Sequence, residues 1–176
     1  KGFVPDALLN CYDVEGFKYN PDLVKKLLKN TSYNNETILL HTTSEYLDIC
    51  EYIQHSASKF GINIQIEISS PAIHRELFSS GKSSLFRASW IADYPDPENF
   101  LSLFFSKNKS PLGPNYTHFH HAEYDSLYEE SFITNDINKR CQLFEKMEKI
   151  LIDEAVIIPL YYDYVVRLVS KNIHNM

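Results

Sequence analysis

The change of apolar spacing between residues 44 and 68 constrains the fold of this chain more than any other feature. From Ser44 to Phe60 apolar residues recur at the intervals of a helix, and Gly61 supplies a helix stop. The next stretch, INIQIEI at 62–68, alternates strictly and places its four isoleucines on one side, which is typical of a strand with one covered face. A helix is therefore followed directly by a strand.

The same alternation of elements extends on both sides of this segment. TILLHT at 37–42 predicts a first strand, a second helix opens with Ser70 and Pro71 and closes at Gly81, and SLFRASWI at 84–91 predicts a third strand. Strand, helix, strand, helix, strand at these lengths is a βαβαβ unit, which favours a mostly parallel sheet flanked by helices. The predicted fold class is α/β.

Helices and a final strand are expected outside this unit. The predicted elements are a helix at 19–30 with Asn20 as its cap and Pro21 at its first position, one or two helical turns at 98–105, helices around 123–131 and 136–153, and one or two strands at 156–169. In the helix at 136–153 the apolar stripe consists of Ile137, Cys141, Phe144, Met147 and Leu151. Such a stripe is expected to pack into a core.

Composition limits the classes of function. The 176 residues are 44% apolar, which suffices for the core of one domain, and 17 Lys+Arg against 23 Asp+Glu give a net charge of −6. Nucleic acid is not expected as a partner, because no basic run could neutralise its phosphates. Cys11, Cys50 and Cys141 are odd in number and widely separated, so we expect no disulfide framework, with Cys50 and Cys141 as small core residues.

RASWIADYPDPENF, at 87–100, is the strongest candidate for a functional site. A strand-like run gives way there to the acids Asp93, Asp96 and Glu98 and to two prolines that stiffen the turn. Ligands of open α/β sheets bind beyond the carboxyl ends of strands, and Asp93 is expected just beyond the third strand. Asp96 is expected to cap the next helix rather than to touch a ligand.

Three further side chains of this segment have alternative interpretations. Trp90 and Tyr94 could wall a pocket, and a core position for Trp90 is an equal alternative. Arg87 is expected to meet a carboxylate, either the C-terminus of a ligand or, as the preferred alternative, a neighbour such as Asp163.

Four segments occur in an order that matches one family. They are GFVP at 2–5 with YNPDLVKKLL at 19–28, RASWIADYPDPENFL at 87–101, NYTHFHHAEYDSLYEES at 115–131, and INKRCQLFEKMEKILIDEAVIIPLYYDYVVRLV at 137–169. Together they resemble the peptide-binding members of the extracytoplasmic solute-binding proteins that feed ABC importers, especially the oligopeptide-binding proteins. The segment from Trp90 to Pro97 is the most specific part of the resemblance.

The resemblance implies a role and a place for the chain. Residues 1–176 would be the second, C-terminal lobe of a bilobal binding protein, a fragment of a longer chain whose first lobe closes over the ligand. Asp93 would receive the α-amino group of an oligopeptide, and the backbone from Arg87 to Ile91, including Ser89, would bond to the peptide main chain. The protein would be periplasmic, either free or lipid-anchored, without a cofactor, and would deliver its cargo to an ABC permease.

Rival functions remain open at this point. Relatives of the same kind carry nickel chelates or sugars, so a non-peptide solute is an alternative cargo. A metal site at His118, His120 and His121 is disfavoured, because adjacent histidines on a strand point to opposite faces. A hydrolase that pairs Asp93 with Asp96 or Glu98 is also disfavoured, because no Ser-His or Cys-His arrangement accompanies the acids.

Overall fold

The computed structural model of the chain describes residues 1–8, 12–163, 166 and 168–170. Its strands are β1 (Ile38–Thr42), β2 (Ile64–Ile68) and β3 (Leu85–Phe86). Its α-helices are α1 (Pro21–Leu28), α2 (Leu47–Ser58), α3 (Pro71–Ser79), α4 (Glu98–Leu101), α5 (Ala122–Ile133) and α6 (Ile137–Asp153). Short 3-10 turns lie at Asp6–Leu8, Ser44–Tyr46, Ser102–Phe104 and Ser106–Asn108.

The three strands form one parallel sheet in the order β2-β1-β3. Ile38 lies opposite Ile64 in the β1–β2 pair, and Leu40 lies opposite Leu85 in the β1–β3 pair. Because α2 connects β1 to β2 and α3 connects β2 to β3, the predicted βαβαβ unit and the α/β fold class are confirmed.

The helix boundaries follow the local signals in the sequence. The Asn20 side chain accepts the backbone N–H of Leu23 at 3.0 Å at the start of α1, and the Ser70 hydroxyl accepts that of Ile73 at 3.5 Å at the start of α3. Gly61 follows α2 with φ of 76°, a conformation that a side chain would strain. The predicted caps and stop are confirmed.

Two apolar clusters form the core. The smaller one joins the sheet to α2 through Leu40, Cys50 and Ile64. The larger one is built by α4, α5, α6 and the start of the chain, and its buried members include Val4, Leu101, Phe104, Tyr124, Phe144, Met147 and Leu151. The predicted stripe of α6 is buried as expected except at Ile137, which is 67% exposed.

Two predicted strands are not formed as expected. The strand predicted at 84–91 is reduced to β3, because β1 ends at Thr42 and a 3-10 turn follows at Ser44–Tyr46, which leaves residues 88–91 without a partner strand. Asp93 consequently lies seven residues beyond the strand end at Phe86. The described residues of the C-terminal segment 156–169 also form no strand, and Pro159 removes one ladder donor there; Tyr164, Val165 and Arg167 lie outside the described residues.

The cysteines differ from the expectation in one respect. Cys50 is buried and free, which confirms its predicted core position. Cys141 is also buried, but it is disulfide-bonded, so the expectation that these cysteines form no disulfide is wrong. Spacing along the chain could not show this, because the fold decides which distant residues approach α6. Cys11 lies outside the described residues.

Among the described residues, every helix is too short or too polar to cross a lipid bilayer.

A buried carboxylate attaches the start of the chain to α6. Glu148 is fully buried, and its Oε1 atom accepts the backbone N–H groups of Phe3 and Val4. A side chain at Gly2 would collide with the same oxygen, since a Cβ placed there lies 2.0 Å from it. Burial raises the pKa of Glu148 above its ordinary value of 4.5, although the two backbone hydrogen bonds act in the opposite direction.

The raised pKa of Glu148 predicts a pH dependence of stability. Because the folded chain holds this proton more tightly than the unfolded chain, the contribution of the group is greatest below pH 4.5 and declines as the pH rises. Glu148→Gln cannot ionise and keeps an acceptor oxygen. We expect its free energy of unfolding, measured in urea, to increase relative to the wild type between about pH 4.5 and pH 7. Parallel pH profiles of the two proteins would contradict this.

Candidate functional site

In the segment from β3 to α4, one carboxylate has no partner among the described residues. Asp93 is exposed, and its carboxylate forms neither a hydrogen bond nor an ion pair with any residue that the structure describes. Only its backbone is held, since the N–H of Asp93 donates to Oδ1 of Asn99 at 3.2 Å. The negative charge of Asp93 is therefore available to a cation from outside.

The Asn99 side chain closes the turn that displays Asp93. Its Oδ1 atom accepts the indole N–H of Trp90 at 2.8 Å as well as the backbone N–H of Asp93. Asn99 belongs to α4 and is 4% exposed. Sequence reasoning missed this residue, and the signal that could have found it is the tendency of Asn to bond to nearby backbone groups at turns and helix starts.

Asp96 is engaged inside the protein, unlike Asp93. Both carboxylate oxygens of Asp96 accept from the guanidinium of Arg140 on α6, at 2.7 and 3.1 Å. Its Oδ1 atom also accepts the backbone N–H of Glu98 at 2.8 Å, at the first residue of α4. The predicted structural role of Asp96 is confirmed, although Pro97 and not Asp96 occupies the N-cap position of α4, and the ion pair with Arg140 was not foreseen.

Glu98 is engaged as well. It is 6% exposed and accepts hydrogen bonds from the hydroxyl groups of Tyr94 and Tyr128. The hydrogen bond to Glu98 is the main cause that raises the pKa of Tyr94, so this phenol stays protonated. Tyr94 is thus attached by its hydroxyl while 47% of the residue remains exposed.

The residues before Asp93 present exposed surface and free backbone groups. Ser89 is exposed and Ile91 is 86% exposed, whereas Trp90 is half-buried and packs against the larger core cluster. Trp90 therefore packs as the core alternative predicted. The backbone of residues 88–92 makes no hydrogen bond to any other described part of the chain.

Arg87 does not meet its expected neighbour. Its guanidinium lies 3.0 Å from the centre of the Tyr46 ring, a cation-π contact, and no salt bridge joins it to Asp163. The preferred alternative for Arg87 is therefore wrong, because the 3-10 turn after β1 brings an aromatic ring to this place. The Arg87 backbone is held on both sides, by the carbonyl of His41 and by the ring of His74.

The three neighbouring histidines act separately. His118 bonds to the Ser110 hydroxyl at 2.9 Å, and Nδ1 of His121 accepts the backbone N–H of Tyr124 at the start of α5. His120 is exposed beside Asp125. Within the described part of the chain, no group of three His, Cys, Asp or Glu side chains is arranged to hold a metal ion.

Comparison with known proteins identifies the family of the chain. The model of the middle region of the bacterial extracellular solute-binding proteins, family 5, matches residues 1–111. The chain belongs to this family.

Two curated binding proteins match most of the chain. The chain is 26% identical to the probable D,D-dipeptide-binding periplasmic protein DdpA of Escherichia coli over 92% of its length, and 30% identical to the oligopeptide-binding protein OppA of Bacillus subtilis over 69%. It spans only 32% and 22% of those two relatives.

A solved structure of a peptide-bound binding protein has the same fold. The periplasmic binding protein DppA of Helicobacter pylori, in complex with the peptide STSA, is 25% identical and superimposes with a TM-score of 0.78 over 89% of this chain and 32% of its own. These relatives are solute-binding proteins, and the names of DdpA and DppA place those two in the periplasm. The family expected from the sequence is confirmed, as is the α/β fold.

The ion pair of Asp96 allows a test of how the turn is held. We expect Asp96→Asn to lower the free energy of unfolding by about 1–2 kcal/mol, because it removes the charge from a bidentate, partly buried pair. Glu15→Gln is the matched control, since it breaks the exposed pair with Lys18 and should leave stability nearly unchanged. Urea unfolding measures both variants, and equal losses would show that burial of the Asp96 pair is unimportant.

Proposed function

We propose that residues 1–176 form the C-terminal lobe of an extracytoplasmic solute-binding protein that captures oligopeptides by their amino end. The observation that supports this most strongly is the difference between the acids of one short segment. Asp96 and Glu98 are satisfied by Arg140 and by two tyrosine hydroxyls, whereas Asp93 is exposed and has no partner among the described residues. A carboxylate left free on a stiff turn is suited to an ammonium group.

Recognition of many peptides must use groups that all peptides share. These are the main-chain amides and the terminal charges, and pairing with an extended backbone engages the amides whatever the side chains are. The backbone from Ser89 to Ile91 is unpaired within the described structure and leads directly to Asp93. In the proposed complex a peptide lies along this backbone and places its α-amino group at Asp93, which determines its direction and register.

Four side chains have proposed contact roles beside Asp93. Ile91 and the ring of Tyr94 provide exposed apolar surface for ligand side chains, and Trp90 borders it with the edge that remains exposed. For Arg87 the remaining alternative is a carboxylate of the ligand, since no salt bridge to a described residue occupies its guanidinium.

We propose binding without catalysis. The hydrolase alternative needs a second carboxylate that acts together with Asp93, and the two candidates are committed elsewhere, Asp96 to Arg140 and Glu98 to the tyrosine pair. The relatives named above are likewise described by what they bind.

The partners and the location of the protein are part of the same proposal. A first lobe closes over the ligand from the other side, and an ABC permease receives the cargo. The disulfide at Cys141 supports an oxidising, extracytoplasmic compartment, in agreement with the periplasmic relatives.

The direct test replaces Asp93 in the protein expressed from its complete reading frame. The probes are the tetrapeptide Ser-Thr-Ser-Ala and its N-acetylated form, which lacks the ammonium group. We expect the wild type to prefer the free peptide, and Asp93→Asn to weaken its binding by at least about tenfold while leaving the acetylated peptide unaffected. Isothermal titration calorimetry measures both affinities.

The control for this test is Asp153→Asn. It removes an equally exposed carboxylate at the end of α6, roughly 20 Å along the helix from Arg140, and should leave both affinities unchanged. Equal affinity of the wild type for the two peptides would refute capture of the amino end.

The 176-residue chain by itself should bind the free tetrapeptide weakly, with a dissociation constant above roughly 1 mM. Water still solvates both charges when no second lobe covers Asp93, so their attraction is small. Calorimetry on the isolated chain checks this, and micromolar or tighter binding would contradict it.

A further inference from the structure

We propose that Asn99 is a positioning residue for the ligand, because its side-chain oxygen sets the direction in which the Asp93 carboxylate points. This inference rests on the proposed function of Asp93 and adds the group that makes that function possible. Asn99 itself is buried and is not expected to touch a ligand.

The geometry identifies a single atom as the organiser of the turn. Oδ1 of Asn99 accepts the Trp90 indole N–H at 2.8 Å and the Asp93 backbone N–H at 3.2 Å. Both partners are donors, so the side-chain atom facing them must be the carbonyl oxygen of the amide. One acceptor therefore joins residues at the two ends of the sequence Trp-Ile-Ala-Asp.

Asn99 is itself held by the core. All four residues of α4 are buried. The backbone N–H of Asn99 donates to the carbonyl of Asp96 at 3.1 Å, and the Ser102 hydroxyl donates to the carbonyl of Asn99 at 2.9 Å. The side-chain oxygen thus has a fixed position relative to the larger core cluster.

Asp93 depends on this attachment more than its neighbours do. Hydrogen bonds from other residues orient the side chains of Asp96 and Glu98, but the Asp93 carboxylate makes no hydrogen bond to a described residue. Its direction is determined only by its backbone, which Asn99 holds. Loss of the Asn99 oxygen should let the backbone of residues 90–93 adopt several conformations, so that binding an ammonium group carries an ordering cost.

The experiment measures affinity and turn structure separately in the protein expressed from its complete reading frame. Asn99→Ala removes the acceptor, Asn99→Asp keeps an oxygen at the same place, and Leu103→Ala removes a buried side chain of the same cluster without touching either hydrogen bond. The probes are again Ser-Thr-Ser-Ala and its N-acetylated form. We expect Asn99→Ala to lose about tenfold in affinity for the free peptide and to lose the preference over the acetylated one.

The comparison variants distinguish positioning from simple loss of stability. Asn99→Asp should retain the preference for the free peptide. Leu103→Ala should lower the melting temperature and yet retain the preference. If Leu103→Ala loses the preference as Asn99→Ala does, or if Asn99→Ala keeps it within about twofold, Asn99 is not a positioning residue.

Hydrogen exchange in the wild-type 176-residue chain tests the two hydrogen bonds of Asn99 without a ligand and without a stable variant. Trp90 is the only tryptophan of the sequence, so its indole N–H gives one assignable signal in a proton–nitrogen correlation spectrum. We expect slow hydrogen exchange at this indole and at the Asp93 amide. Exchange at the rate of a free loop amide at either position would overturn the inference even if Asn99→Ala fails to fold.

The outcomes also separate this inference from the proposed function. If the wild type binds the two peptides equally, or if Asp93→Asn keeps the preference, the role of Asp93 is wrong and that of Asn99 falls with it. If Asp93→Asn loses the preference and Asn99→Ala keeps it, only the role of Asn99 is wrong.

Discussion

The site depends on the burial of one short helix. The four residues of α4 are enclosed by the larger core cluster, and two of them are polar. A buried polar side chain must find partners or incur a desolvation cost, and both Glu98 and Asn99 find them in the turn before α4. The buried helix α4 thereby fixes the conformation of the exposed turn before it, which no neighbouring strand supports.

The three carboxylates of this turn have different roles because their surroundings differ. Asp96 faces a guanidinium on α6, Glu98 is enclosed with two phenols, and Asp93 faces solvent. The two engaged acids link the turn to α5 and α6 through Tyr128 and Arg140. Only the third remains able to exchange water for a ligand, which is why it is the one proposed to bind.

Family membership and local geometry contribute different parts of the functional argument. The match to family 5 over residues 1–111 shows the family, and the peptide-binding relatives support the proposal that the cargo is a peptide. They do not assign a role to any side chain. The structure singles out Asp93 because its carboxylate has no partner among the described residues, and Asn99 because its amide oxygen accepts two hydrogen bonds.

Local signals determined much of the architecture. The alternation at 62–68, the caps at Asn20 and Ser70 and the stop at Gly61 act within a few residues, so the βαβαβ unit and most helix boundaries follow from the sequence alone. The turn at Asp93 could be predicted as well, because its prolines and acids are also local signals.

Only the tertiary structure decided which residues contact one another. The ring beneath Arg87, the guanidinium beside Asp96, the disulfide at Cys141 and the carboxylate that holds the start of the chain all join residues far apart in sequence. The length of β3 was also decided there, because a strand requires a neighbour as well as a suitable sequence. Sequence patterns report local preference, whereas pairing depends on what the folded chain brings within reach.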